Sequence, residues 1–92
     1  MSEQMTKKIF DLFHRISEED SAAIRKLIGE LDLYEYVEFR NVGSGTRDIA
    51  LLKEKTGNEK TPTLVLRGIY EQDFDKIKKI LSNFKAGANE KK

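Results

Sequence analysis

No cysteine occurs in the 92 residues. Its absence excludes disulfides, thiolate metal sites and cysteine nucleophiles together, and with them any thiol–disulfide oxidoreductase activity of the chain itself. Histidine occurs once, at His14, so no second imidazole or thiolate can complete a metal set, and neither a metal nor another cofactor is expected. No apolar run approaches the ~20 residues that span a bilayer, and the N-terminus carries no apolar segment of the signal-peptide kind. A soluble, cytoplasmic chain without a membrane partner is the expectation. Neither charge sign dominates, since 17 Lys+Arg against 16 Asp+Glu leave a net +1. That balance lacks the basic excess through which proteins hold nucleic acid, so no nucleic-acid partner is expected.

The length allows one domain and one core. Lys8–His14 (KIFDLFH) reads as a short, aromatic-rich strand interrupted by Asp11. Asp11 is read either as a buried acid with a raised pKa or as a residue facing a helix end or solvent at a strand edge. Ser17-Glu18-Glu19-Asp20 opens a helix, with Ser17 as its N-cap and acids at the positive end of the dipole. Ile24, Leu27, Ile28 and Leu31 form its apolar stripe. Tyr34–Val42 alternates at period two and reads as a strand. Gly43-Ser44-Gly45-Thr46 is a loop, with Ser44 or Thr46 capping a second helix that carries Ile49 and Leu52 and stops at Gly57. The same loop is no phosphate cradle, because Arg47-Asp48 follows where a Lys-Ser/Thr pair is needed. Pro62, the one proline, leads into a buried strand at Thr63–Leu66. Arg67-Gly68 turns into a brief strand at Ile69-Tyr70. Phe74, Ile77, Ile80, Leu81 and Phe84 share one face of a last helix, whose lysines lie elsewhere. The domain is expected over residues 8–85, between a flexible Met1–Lys7 and a flexible Ala86–Lys92.

The order is β-α-β-α-β-β-α. A helical crossover implies that the first two strands run parallel, and a tight turn implies that the last two run antiparallel. An α/β domain follows, with one four-stranded mixed sheet and helices on both faces.

This order, together with Leu51–Gly57 at the end of the second helix and Lys60-Thr61-Pro62-Thr63-Leu64-Val65-Leu66 after it, resembles the glutaredoxins of the thioredoxin-fold superfamily. The resemblance spans about Lys8 to Phe84 and implies the thioredoxin fold, with a cis bond at Thr61-Pro62. It matches Glu18 and Ser21 with the family's two cysteine positions and Arg15 with a basic position near the site. Gln72-Asp73 stands where the family has a Gly-Gly pair that admits glutathione, and Asp73 would repel a glutathione carboxylate, which counts against glutathione binding.

The expected function is therefore a redox-inactive glutaredoxin-like binding or interaction module. Its partner is expected to be another protein or a peptide, bound along Arg15, Glu18, Ser21, Thr61, Pro62, Gln72 and Asp73. Two alternatives come from other classes. One is a cysteine-independent enzyme with acid–base or metal-assisted chemistry through Glu18, Asp20 and His14. The other is a regulatory or structural protein acting by oligomerisation, although nothing in the sequence sets an oligomeric state. For Ser17–Ser21 the competing reading is plain helix capping and dipole compensation. For His14 it is an ordinary strand-end histidine.

Overall fold

The computed structural model describes residues 8–43 and 46–90, with the side chains of Thr46 and of residues 88–90 excepted. Four strands, β1 (Phe10–His14), β2 (Val37–Asn41), β3 (Thr63–Leu66) and β4 (Ile69–Glu71), form one sheet in the order β2-β1-β3-β4. β1 runs parallel to β2 and antiparallel to β3, and β3 pairs antiparallel with β4. Three helices complete the domain: α1 (Glu19–Glu30), α2 (Thr46–Thr56) and α3 (Phe74–Glu90). The expected element order and the mixed four-stranded sheet are both present. The sequence-based expectations for residues 1–7, for Ser44 and Gly45, for the Thr46 side chain as a cap and for residues 91–92 of the tail fall outside what is described.

The period-two pattern of β1 explains the layering. Phe10 and Leu12 point to one face of the sheet, where Ile24 and Ile28 of α1 and Ile77 and Leu81 of α3 join them in the larger core cluster. Phe13 points to the other face, against Leu52 of α2, Val42 and Val65. Asp11 shares that second face. It is neither buried nor at an edge strand: it lies in the sheet's centre, half-exposed, with Arg40 Nε 3.5 Å from its Oδ1. Arg40 also donates to Asp48 in the first turn of α2 at 3.2 Å, so one guanidinium serves two carboxylates.

Several boundaries depart from the sequence reading. Tyr34–Tyr36 is a 3₁₀ turn, and the second strand begins only at Val37. Alternating tyrosines mimic a strand here, but Tyr34 stands 56% exposed while Tyr36 packs edge-on against Phe84 at 5.3 Å. What sets the turn is the end of α1. Asp32 adopts a left-handed φ of 58°, its N–H donates to the Gly29 carbonyl at 3.1 Å, and the Leu33 N–H reaches back to the Ile28 carbonyl at 2.9 Å. This Schellman closure drops Leu33 into the core beside Ile28. Gly57 ends α2 as expected, with φ 84° and its N–H on the Lys53 carbonyl at 2.8 Å. Arg67 and Gly68 both have positive φ, the two-residue hairpin turn that suits strand twist. α3 continues through residues 86–90, beyond the boundary the sequence suggested.

Leu12 has no exposed surface in the central strand. Leu12→Ala should cost about 2–5 kcal/mol, a large share of the ~5–15 kcal/mol typical of a domain. Urea unfolding measures it, and a loss under about 1 kcal/mol would contradict the packing described.

Candidate functional site

β1 ends at His14, and the chain then turns sharply: the Glu18 N–H donates to the Arg15 carbonyl at 3.3 Å. Ile16 and Ser17 form the exposed tip of this turn. Ser17 is therefore not the N-cap of α1. That position falls to Glu18, whose carbonyl accepts the Ala22 N–H at 2.9 Å and whose side chain caps nothing in the helix.

The Glu18 carboxylate is engaged elsewhere. Its Oε1 accepts from the Ser21 hydroxyl at 2.5 Å and from the Thr61 hydroxyl at 2.6 Å. Each hydroxyl in turn accepts from Arg15: Ser21 Oγ takes the Arg15 backbone N–H at 3.1 Å, and Thr61 Oγ1 takes the guanidinium Nη1 at 2.9 Å. Two relays thus begin at Arg15 and end on one carboxylate oxygen. Their direction is set by chemistry, because a guanidinium can only donate and a carboxylate can only accept. The same Arg15 Nη1 donates to the Glu59 carbonyl at 2.9 Å, so Arg15 fastens the approach to the cis Thr61–Pro62 bond.

Gln72 joins from the opposite side. Its amide exchanges two hydrogen bonds with that of Asn58, at 2.8 and 3.1 Å, and donates to Thr63 Oγ1 at 3.0 Å. Arg15, Glu18, Ser21, Thr61, Pro62 and Gln72 therefore gather along one edge of the domain. Ser21, Thr61 and Pro62 are buried within it, so they shape the edge and do not form its outer surface. Asp73 does not take part: its Oδ1 accepts the N–H groups of Asp75 at 3.0 Å and Lys76 at 3.3 Å, capping α3.

His14 is no surface residue either, being only 5% exposed. Arg25 Nη1 lies 3.1 Å from its Nδ1, and the same guanidinium donates to the carbonyls of Arg15 at 3.1 Å and Ile16 at 3.3 Å. Since arginine can only donate, Nδ1 accepts, and the ring proton sits on Nε2. Burial, followed by the Arg25 charge, lowers the His14 pKa from the ordinary 6.5. His14 thus bonds to Arg25 while Glu18 bonds to Ser21 and Thr61, and Asp20 stands exposed in the first turn of α1. Among the described residues no three His, Asp or Glu side chains could hold a metal ion.

Sequence reading did not single out Arg25, Asn58 or Thr63. Arg25 shows only as a polar position between apolar ones, and its partners lie nine to eleven residues back across the turn.

Thr61→Val keeps the shape but breaks both relay contacts of Thr61, leaving Arg15 and Glu18 each one partner short. The loss should be about 1–3 kcal/mol, read by urea unfolding, with non-additivity toward Ser21→Ala in a double-mutant cycle. Strict additivity would separate the two relays. The lowered His14 pKa has its own signature. As pH falls below about 6.5 the unfolded chain protonates His14 before the folded one does, so this group's contribution is complete above that pH and declines below it. His14→Gln should therefore lose less stability than the parent between about pH 7.5 and about pH 5.5. Equal losses would place the proton uptake elsewhere.

Compared with protein-family models and with curated proteins, the chain matches none.

Proposed function

We propose that this protein is a glutaredoxin-like domain of the thioredoxin fold without redox activity, which binds an extended segment of another protein along the edge formed by Arg15, Glu18 and the Thr61-Pro62 loop. The fold half of this reading draws support from the element order and from a sheet ordered β2-β1-β3-β4 in which only β1 and β2 run parallel. Absence of cysteine removes the covalent step but leaves the edge.

One observation carries the binding half: the double relay from Arg15 to Glu18 through Ser21 and Thr61. It locks the start of α1 to the proline loop, so an arriving segment meets a surface already arranged, and less freedom is lost on binding. Around that lock the half-exposed Arg15 and Glu18 supply one charge of each sign, and Ile16, 61% exposed at the turn tip, supplies an apolar contact. A hydroxyl-pinned carboxylate is an acceptor for a partner's amide or cation, which suits recognition more than turnover.

Selection from a displayed peptide library, followed by chemical-shift mapping of the enriched sequences, tests the proposal. Enriched peptides should shift Arg15–Ser21, Thr61 and Gln72, and Arg15→Ala should weaken them about tenfold or more, as loss of a charged hydrogen bond implies. Reduced glutathione at millimolar concentration should give no saturable shifts. Failure to enrich any peptide, or peptides mapping to another face, would remove this function.

A further inference from the structure

On the larger-core side of the sheet, next to edge strand β2, a groove of about 360 Å³ is lined by His14, Arg25, Lys26, Tyr34 and Phe39. It is separate from the edge just described, and its chemistry is one-sided. Its three aromatic rings stand in series, His14 edge-on to Phe39 at 5.7 Å and Tyr34 tilted against Phe39 at 6.1 Å. Tyr34 can lie over α1 because residue 29 is glycine: a Cβ there would sit 2.6 Å from the Tyr34 hydroxyl. The polar groups are cations or hydrogen-bond donors. Lys26 is exposed, the Tyr34 hydroxyl can donate, and His14 carries its proton on Nε2 because Nδ1 accepts from Arg25.

Arg25 is the centre of this arrangement. Three of its five N–H donors are held by neutral acceptors, namely His14 Nδ1 and the carbonyls of Arg15 and Ile16. Among the described residues no carboxylate forms an ion pair with it. A half-buried guanidinium is thus fixed in place and, among the described residues, has two donors to spare and no carboxylate to compensate its charge. In a partly apolar groove such a charge attracts an anion more strongly than it would in open water.

We infer that this groove binds a small anion carried on an aromatic ring, with the anionic group on Arg25 and Lys26 and the ring against Phe39 and Tyr34. The volume lies at the lower end of the ~300–1,000 Å³ found for small-ligand sites and suits one ring with its headgroup.

Phenyl phosphate is the probe, titrated into isotope-labelled protein in parallel with inorganic phosphate and benzyl alcohol. Phenyl phosphate should give saturable shifts at His14, Arg25, Lys26, Tyr34 and Phe39, with a dissociation constant of about millimolar or tighter. Inorganic phosphate and benzyl alcohol should each bind more weakly. Lys26→Gln, at an exposed site outside the relays, should weaken phenyl phosphate about two- to fivefold, and added salt should weaken it further. Phe39→Leu should reduce the preference over inorganic phosphate. Equal binding of inorganic phosphate would show that the ring plays no part, and equal binding of benzyl alcohol would show the same for the cations; either overturns the inference. Absence of shifts, or shifts confined to Thr61 and Gln72, overturns it as well. Peptide binding at the proline-loop edge is read from different residues and stands or falls separately.

Discussion

The central strand must satisfy both faces of the sheet at once, and most of the molecule follows from how β1 does so. It has a hydrogen-bonded neighbour on either side, so its side chains have nowhere to go but up or down. Phe10 and Leu12 require α1 and α3 above them, and Phe13 requires α2 below. Asp11 is the one position where this rule fails. The structure accommodates it by running Arg40 along the same face, across the Phe13 ring at 5.9 Å, to reach both Asp11 and Asp48. Even so, the Arg40 Nε is buried without a hydrogen-bond partner, which marks the accommodation as incomplete.

The same strand delivers the candidate sites. His14 is its last residue and Arg15 the first beyond it, so the two grow from one rigid element and diverge at once. Arg15 turns toward the proline loop and organises Glu18, Ser21 and Thr61. His14 stays over the larger core, where Arg25 holds its Nδ1. Arg25 also grips the Arg15 and Ile16 carbonyls, so the turn between β1 and α1 is held from two sides. Sites built on such supported elements keep their geometry better than sites on free loops.

Much of this was legible in the chain. The apolar stripes of α1 and α3, the stop at Gly57, the hairpin at Arg67-Gly68 and the buried Thr63–Leu66 strand are local patterns with local causes. Of the proposed edge residues, Arg15, Glu18, Ser21 and Thr61 are joined by hydrogen bonds. The errors share one cause. Ser17 as a cap and Tyr34–Val42 as one strand are expectations drawn from neighbours in sequence. What these two stretches do is decided by distant partners or by a chain reversal that no local pattern announces. The Glu18 side chain caps no backbone N–H of the helix, because its carboxylate is held by the Ser21 hydroxyl and by that of a threonine 43 residues later. The strand starts late because Leu33 must first reach the core.

By itself, then, the sequence determined what the chain cannot do and how its backbone is partitioned. A missing thiol is a fact of composition, and hydrophobic period is a local quantity. Only the tertiary structure decided which polar groups meet. Hydrogen bonds form over about 3 Å, and the distances that matter here separate residues 15 and 61, 18 and 61, and 58 and 72, which nothing but the folded sheet brings within reach.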